Sequence, residues 1–240
     1  MKITIGHLFY DLLNLYGESG NALALKEALE SQDIEVELKN ISLDNEEWNL
    51  QELDFIYIGT GTDNNEKLAL ECLKKHKEEI KELVDNNKFL LATGNAVELF
   101  GKYIEDDSEQ LETLGIFDYY TKRTKNRVVS ECMFKFNGIN SEILGFQNNH
   151  GQIMHSNYPM FTVEKGLGNG ENEKEEGYMQ NKFYGTYLIG PILARNPEFL
   201  EKLCKDLILS KDNEFEFKSF DFEIEKTAHK RYLQKDINKA

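Results

Sequence analysis

The feature that most constrains this 240-residue chain is an alternation, through its first half, of short apolar β-rich runs with helical stretches. Lys2–Ile5, Ile34–Leu38, Phe55–Ile58 and Phe89–Ala92 read as strands. Gly20–Ser31 and roughly Asn64–Val84 carry helical spacing between them. Such a pattern calls for an α/β sheet. Ile34–Leu38 alternates apolar and polar residues, which places it near a sheet edge. A helix over Ala96–Tyr103 follows the fourth strand. The second half changes character. Arg127–Phe136, Ile143–Phe146, Met160–Glu164 and Phe183–Leu188 read as strands joined by Gly/Asn loops, among them Gly166–Asn172, before helices return at Pro197–Leu209 and Phe222–Leu233. No linker, repeat or low-complexity tract interrupts the chain, so one domain over residues 1–240 is the economical expectation.

Charge narrows the partners. The formal net charge is -15 and the pI about 4.9. A surface of that sign repels phosphate backbones and anionic lipid, which argues against nucleic acid or a membrane surface as the main partner. A basic protein partner remains compatible with it. Cys72, Cys132 and Cys204 are widely spaced and form no CxxC pair, which speaks against a disulfide scaffold or a zinc knuckle. The polar N-terminus is unlike a signal peptide, and no apolar run approaches the roughly 20 residues needed to span a bilayer. The expectation is a cytoplasmic protein without membrane insertion.

In open α/β sheets, ligands sit beyond the carboxyl ends of strands. Two strand-end loops qualify. In Gly59–Asp63, glycines would let backbone N–H groups approach a substrate oxygen, although a plain tight turn is the simpler reading. Thr93-Gly94-Asn95 forms a strand-turn-helix bend, the backbone setting of a nucleophile elbow, with glycine at its apex. Glycine accepts a positive φ without strain but has nothing with which to attack a carbonyl. Elsewhere, Gly166-Leu167-Gly168-Asn169-Gly170 lacks the Lys-Ser/Thr of a P-loop, so it reads as a hairpin loop and no ATP site is inferred. His150 and His155 lie five apart with no third ligand at metal spacing, so neither a metal nor another cofactor is expected.

Several ordered segments carry a resemblance along nearly the whole chain. They are Asp11-Leu12-Leu13-Asn14-Leu15-Tyr16-Gly17 with Gly20-Asn21, Ile58-Gly59-Thr60-Gly61, Leu99-Phe100-Gly101 and Leu114-Gly115-Ile116-Phe117-Asp118. Lys125-Asn126-Arg127, Gly145-Phe146 with Asn149-His150-Gly151, and Gly185-Thr186-Tyr187-Leu188 with Gly190-Pro191 complete the set. Together they resemble the glutamine amidotransferase subunits of lipid II isoglutaminyl synthases, within the cobyric acid synthase-like class I glutamine amidotransferases. The resemblance implies a flavodoxin-like three-layer α/β fold with a mostly parallel central sheet. It also implies a heterodimer with a Mur-ligase-like, ATP-dependent subunit that uses the released ammonia in peptidoglycan biosynthesis.

In that family an elbow cysteine attacks the side-chain amide of glutamine, and a histidine near the end of the last core strand acts as base. Where the family reads Cys-Gly-Gly-Tyr-Gln, this chain has Gly94-Asn95-Ala96-Val97-Glu98. The histidine's place is taken by Ile189, and the Gly-Gly-Gly of the oxyanion loop is Gly59-Thr60-Gly61. Without a thiol there is no nucleophile for the covalent intermediate, and isoleucine cannot accept a proton. Thr93 is beside the apex but on the opposite strand face, and it would still need a base. The implied binding residues are Gly59, Thr60, Gly61, Asn95 through its backbone N–H, and Arg127. The leading expectation is therefore a catalytically silent, interacting subunit with degenerate positions Gly94 and Ile189. A small-molecule module that holds glutamine or a related compound is one alternative. An amidotransferase with a recruited nucleophile, such as Cys72 or Cys132, is the other.

Overall fold

A computed structural model describes residues 1–45, 48–107, 109–170 and 172–237. Thirteen strands occur among them: β1 Lys2–Leu8, β2 Glu35–Ile41, β3 Phe55–Ile58, β4 Phe89–Thr93, β5 Tyr103–Asp106, β6 Glu109–Glu112, β7 Tyr120–Lys135, β8 Ile143–Met154, β9 Phe161–Lys165, β10 Glu175–Glu176, β11 Tyr178–Gln180, β12 Phe183–Thr186 and β13 Leu188–Ile189. The helices are α1 Ser19–Glu30, α2 Asp63–Lys75, α3 Lys77–Asp85, α4 Ile192–Arg195, α5 Pro197–Leu209 and α6 Glu223–Ile237.

A first sheet of six strands has the order β11-β12-β4-β3-β1-β2. Four of its five pairings, β1/β2, β1/β3, β3/β4 and β4/β12, are parallel, and β11 alone runs antiparallel to its neighbour. The continuous apolar runs explain why its centre is buried on both faces. Phe55, Tyr57, Phe89 and Leu91 point to one side, into a core with Leu25 and Leu29 of α1 and Leu203 and Leu207 of α5. Ile56, Ile58, Leu90 and Ala92 point to the other, against Leu70 and Leu73 of α2 and Ile80 and Leu83 of α3. Period-two strands between two helical layers give the expected α/β three-layer arrangement around a mostly parallel sheet.

The second sheet is mainly antiparallel and is built on the pairing of β7 with β8. The chain passes from the first sheet to the second at Tyr187. β12 ends at Thr186 beside Thr93 of β4, and β13 places Ile189 opposite Phe146 of β8. That crossing brings the last core strand to the elbow.

Some boundaries differ from the sequence reading. Residues Gly94–Phe100 form a 3-10 stretch, and Tyr103 already belongs to β5, so no α-helix spans Ala96–Tyr103. The apolar spacing there is real: Ala96, Val97, Leu99 and Phe100 are all buried. Burial on every side lets the tighter turn pack as well as a helix would. The Asn64–Val84 helix is two helices that meet at His76, whose ring stacks on Trp48. Both β7 and β8 are longer than expected, so His150 lies in a strand, not a loop. The Gly166–Asn172 segment is a loop, with Glu171 outside the described residues.

Candidate functional site

β4 delivers Thr93 in extended conformation, and Gly94 then turns to φ +60°. This is the elbow geometry, and its apex is closed. A Cβ placed on Gly94 would collide with the Thr60 side chain, 2.5 Å from Oγ1, and come within 2.9 Å of Ile189 Cγ2. Thr60 and Ile189, expected from the resemblance to stand in for a glycine and a histidine, thus fill the space above the position that lacks a side chain.

The neighbouring loop is closed by Asn95. The Thr60 hydroxyl donates to Asn95 Oδ1 at 2.6 Å, and the Gly61 N–H donates to the same oxygen at 3.1 Å. In return the Asn95 N–H donates to Thr60 Oγ1 at 3.2 Å, and Asn95 Nδ2 donates to Gly61 O at 3.1 Å. The Gly61 and Asn95 N–H groups, which could face a developing oxyanion, are therefore bonded within the chain. A substrate oxygen would have to displace these bonds to use them. Gly59 and Gly61 are required by close approach, because added Cβ atoms would lie 2.7 Å from Glu18 Cβ and 2.5 Å from Leu13 Cδ2.

Beneath the elbow sits a carboxylate that the sequence reading did not single out. Glu18 is fully buried and accepts from Tyr57 OH at 2.5 Å, Thr93 Oγ1 at 2.6 Å and the Gly190 N–H at 2.7 Å. Burial raises its pKa, and the three donors work against that rise. Asn21 extends the network by donating to Tyr57 OH at 2.8 Å and accepting from the Leu193 N–H at 2.9 Å. A glutamate between glycines in a loop reads as solvated. Its position between Asp11–Gly17 and Gly20-Asn21, which carry the resemblance, was the available signal.

A second ionic group supports the loop from the other side. Arg123, Glu66 and Glu98 are each almost fully buried. Arg123 pairs with Glu66 and donates to Glu98 Oε2 from Nε at 3.1 Å and from NH2 at 2.9 Å. Tyr187 OH donates to Glu98 Oε1 at 3.2 Å, and Asn95 Nδ2 to Glu66 Oε2 at 3.3 Å. Burial pushes both carboxyl pKa values up, that of Glu66 strongly, with Glu98 adding to the effect on Glu66. One guanidinium cannot neutralise two buried carboxylates, so the group favours holding a proton.

Between these features a cavity of about 200 Å³ opens, lined in part by Thr60, Asn95, Glu98, Arg123, Arg127 and His150. Arg127 is exposed and reaches it from β7. Its NH1 donates to Asn148 Oδ1 at 2.9 Å, and its NH2 lies 3.2 Å from His150 Nδ1. Partial burial and the two arginines lower the His150 pKa, so this ring is neutral and its Nδ1 accepts. The sequence-predicted residues Thr60, Gly61, Asn95 and Arg127 therefore meet at one cavity, whereas Gly59 lies beneath it against Glu18.

The remaining candidates lie elsewhere. Cys132 is buried in β7, donates to Gln147 Oε1 at 3.1 Å and has its pKa pushed up to about 12 by burial. Cys72 is on α2, with its pKa also raised by burial. Neither lines the cavity, and each favours the thiol over the reactive thiolate. His155 packs against Tyr120, away from His150's partners. Among the described residues, no three His, Cys, Asp or Glu side chains gather as metal ligands.

A parallel sheet between helical layers, with a strand-end elbow beside a glycine loop, defines a glutamine amidotransferase-like α/β protein. The match to the CobB/CobQ-like glutamine amidotransferase domain runs over residues 4–197, and the chain belongs to that family. It is 34% identical over 225 residues to the lipid II isoglutaminyl synthase (glutamine-hydrolyzing) subunit GatD of Staphylococcus aureus (strain N315), covering 93% of this chain and 92% of that protein. The GatD subunit of Streptococcus pneumoniae (strain ATCC BAA-255 / R6) is 29% identical, with coverage of 88% and 82%. Among solved structures, PurLQS from Thermotoga maritima superposes with a TM-score of 0.57 at 13% identity, covering 88% of this chain and 99% of that one. A crystal structure of a glutamine amidotransferase gives 0.56 at 19% identity, with coverage of 85% and 97%. These likenesses extend to the fold. No helix among the described residues is long and apolar enough to cross a membrane.

Proposed function

We propose that this chain is a non-hydrolysing glutamine amidotransferase-like subunit that docks on a Mur-ligase-like, ATP-dependent partner acting on peptidoglycan precursors. The observation that carries this reading is the occupied elbow. Thr60 and Ile189 stand where a side chain at position 94 would project. Asn95 and Thr60 also satisfy each other and Gly61, so the loop is bonded to itself. Kinship with subunits named for glutamine hydrolysis supports the choice of partner. That these relatives are named as subunits supports assembly with a second chain, and the occupied elbow supports the absence of turnover.

The test has two arms. Co-expression with a Mur-ligase-like protein encoded beside it should yield a complex of the two chains, and separate elution of both would sink the docking role. The purified chain should release no ammonia from glutamine, and measured release would overturn the silent reading. Reconstruction sharpens the second arm. Gly94→Cys with Ile189→His still leaves Thr60 against the new Cβ. Only the triple variant that adds Thr60→Gly is expected to form a thioether with a glutamine-directed alkylating probe, its sulfur displacing the probe's leaving group. A second reading, a pocket for a small amino acid, is favoured by the cavity beside Arg127, whose guanidinium suits a carboxylate. Calorimetric titration with glutamine, glutamate and isoglutamine checks it.

A further inference from the structure

The pairing of β7 with β8 is broken in one place. Arg123 lies opposite Gly151 and Val128 opposite Asn149, so residues 124–127 are skipped in the register. The other neighbours of β7 do not cover them either: β5 pairs with Thr121–Arg123, and β9 with Met133–Lys135. A bulge of this size leaves strand backbone without a ladder partner, which is the usual acceptor surface for another extended chain.

Two hollows flank this stretch and share Arg127 and His150. One is the cavity of about 200 Å³ already described. The other, about 500 Å³, runs along Thr124, Asn126, Val129, Gly151 and Leu167. At its far end two apolar side chains are open to solvent, Val129 at 62% and Leu167 at 41%. The segment is also basic within a chain of net charge -15. Lys125 and Arg127 are exposed, and Arg127 is held only by neutral acceptors, namely Asn148 and the neutral His150. Among the described residues neither has a carboxylate partner. A guanidinium held by neutral groups keeps its full charge for an incoming anion.

The geometry points to a peptide site: residues 124–127 bind a short, extended acidic peptide with a free carboxylate. Arg127 takes that carboxylate at the mouth of the smaller cavity. The backbone groups of 124–127 outside the ladder, apart from the Asn126 carbonyl that accepts from Thr124 Oγ1, bond the peptide groups, Lys125 pairs an acidic side chain, and Val129 with Leu167 receive an apolar one. This goes beyond the docking role proposed above and does not depend on it, because it concerns a ligand of the isolated chain.

The experiment is fluorescence anisotropy on the full chain with a labelled tetrapeptide, Ala-Glu-Val-Glu, carrying a free C-terminus. The same peptide as its C-terminal amide and a version with lysines for glutamates serve as comparisons. The free acid should bind, and amidation or Arg127→Ala should each weaken binding roughly tenfold or more, as the loss of one charge-assisted contact implies. Lys125→Glu should weaken the acidic peptide, and Val129→Asp should weaken it without altering the effect of amidation. The lysine peptide should not bind. No binding by the free acid, or equal affinity for acid and amide, overturns the proposal. Since acid and amide are compared on the unaltered chain, the outcome stands even if a variant misfolds. A complex with the Mur-ligase-like partner can form or fail whichever way the peptide behaves, so the two readings are separable.

Discussion

The elbow and the rim around Arg127 lie on opposite sides of one cavity and have been treated differently. At the elbow the polar side chains are bonded within the chain: Asn95 by Thr60 and Gly61, Glu18 by Tyr57, Thr93 and Gly190. At the rim, a charge held by neutral groups and a stretch of unpaired strand remain available. Buried polar groups without partners are costly, so replacing a reactive side chain in a closed site requires that its surroundings be rebuilt. A solvated rim carries no such demand. The difference teaches that the interior at Gly94 is closed on itself, while the rim around Arg127 is open to solvent.

The comparison breaks if changes at the two places cost the same. The largest expected effect is on the buried ionic group. Arg123→Met leaves Glu66 and Glu98 without their cation and should cost about 3–5 kcal/mol in urea unfolding. The deficit should be greater at pH 8 than at pH 5, where the carboxyls can be protonated. A null result would show that Arg123 does not hold the group together.

Glu176 comes next. It is fully buried, accepts from the Tyr187 N–H at 2.7 Å and from the Thr186 hydroxyl, and fixes the crossing that delivers Ile189. Burial raises its pKa from 4.5 to about 7. The folded chain therefore binds this proton more tightly than the unfolded one. The stabilisation is complete below pH 4.5 and is lost as pH rises to 7, a change of about 3 kcal/mol. Glu176→Gln should flatten that part of the stability profile, and an unchanged slope between pH 5 and pH 7 would refute the assignment.

Smaller effects sharpen the steric half of the comparison. Gly94→Ala introduces both a Cβ at φ +60° and the clash with Thr60, so a loss of about 1–3 kcal/mol is expected. Adding Thr60→Gly should recover part of it, and strict additivity in the double-mutant cycle would show that the two residues do not share that space. At the rim, Arg127→Ala should change stability by less than about 0.5 kcal/mol, as is usual for an exposed side chain. A much larger loss in thermal unfolding would mean that the rim too is structural.

The parallel sheet was legible because its strands are buried on both faces, which leaves uninterrupted apolar runs such as Phe55–Ile58 and Phe89–Ala92. The long strands of the second sheet were only partly legible. In Thr121-Lys122-Arg123-Thr124-Lys125-Asn126-Arg127, one half-exposed ribbon and a bulge remove the periodic signal. The 3-10 segment after Gly94 carries the same apolar pattern as a helix, so pattern alone could not separate them. Within the site, Gly94, Thr60 and Ile189 were marked by the resemblance, but their mutual contact belongs to the fold. The ionic group was invisible for a plainer reason. Glu66, Glu98 and Arg123 come from a helix, a turn and a strand, 25 and 57 residues apart, and nothing local distinguishes them from surface charges.

The bond from the Gly190 N–H to Glu18 joins residues 172 positions apart, and so does that from the Leu193 N–H to Asn21. Closing so long a loop carries a large entropic cost that grows only slowly with length, and it must be met before the contact gives anything back. During synthesis, Glu18 therefore emerges well before the strand that supplies its last donor. Until residue 190 has left the ribosome, the lower wall of the elbow lacks that donor and holds only those from Tyr57 and Thr93. The protection of the Gly190 amide against hydrogen exchange thus reports, at a single backbone position, when the chain has closed this wall from both of its ends.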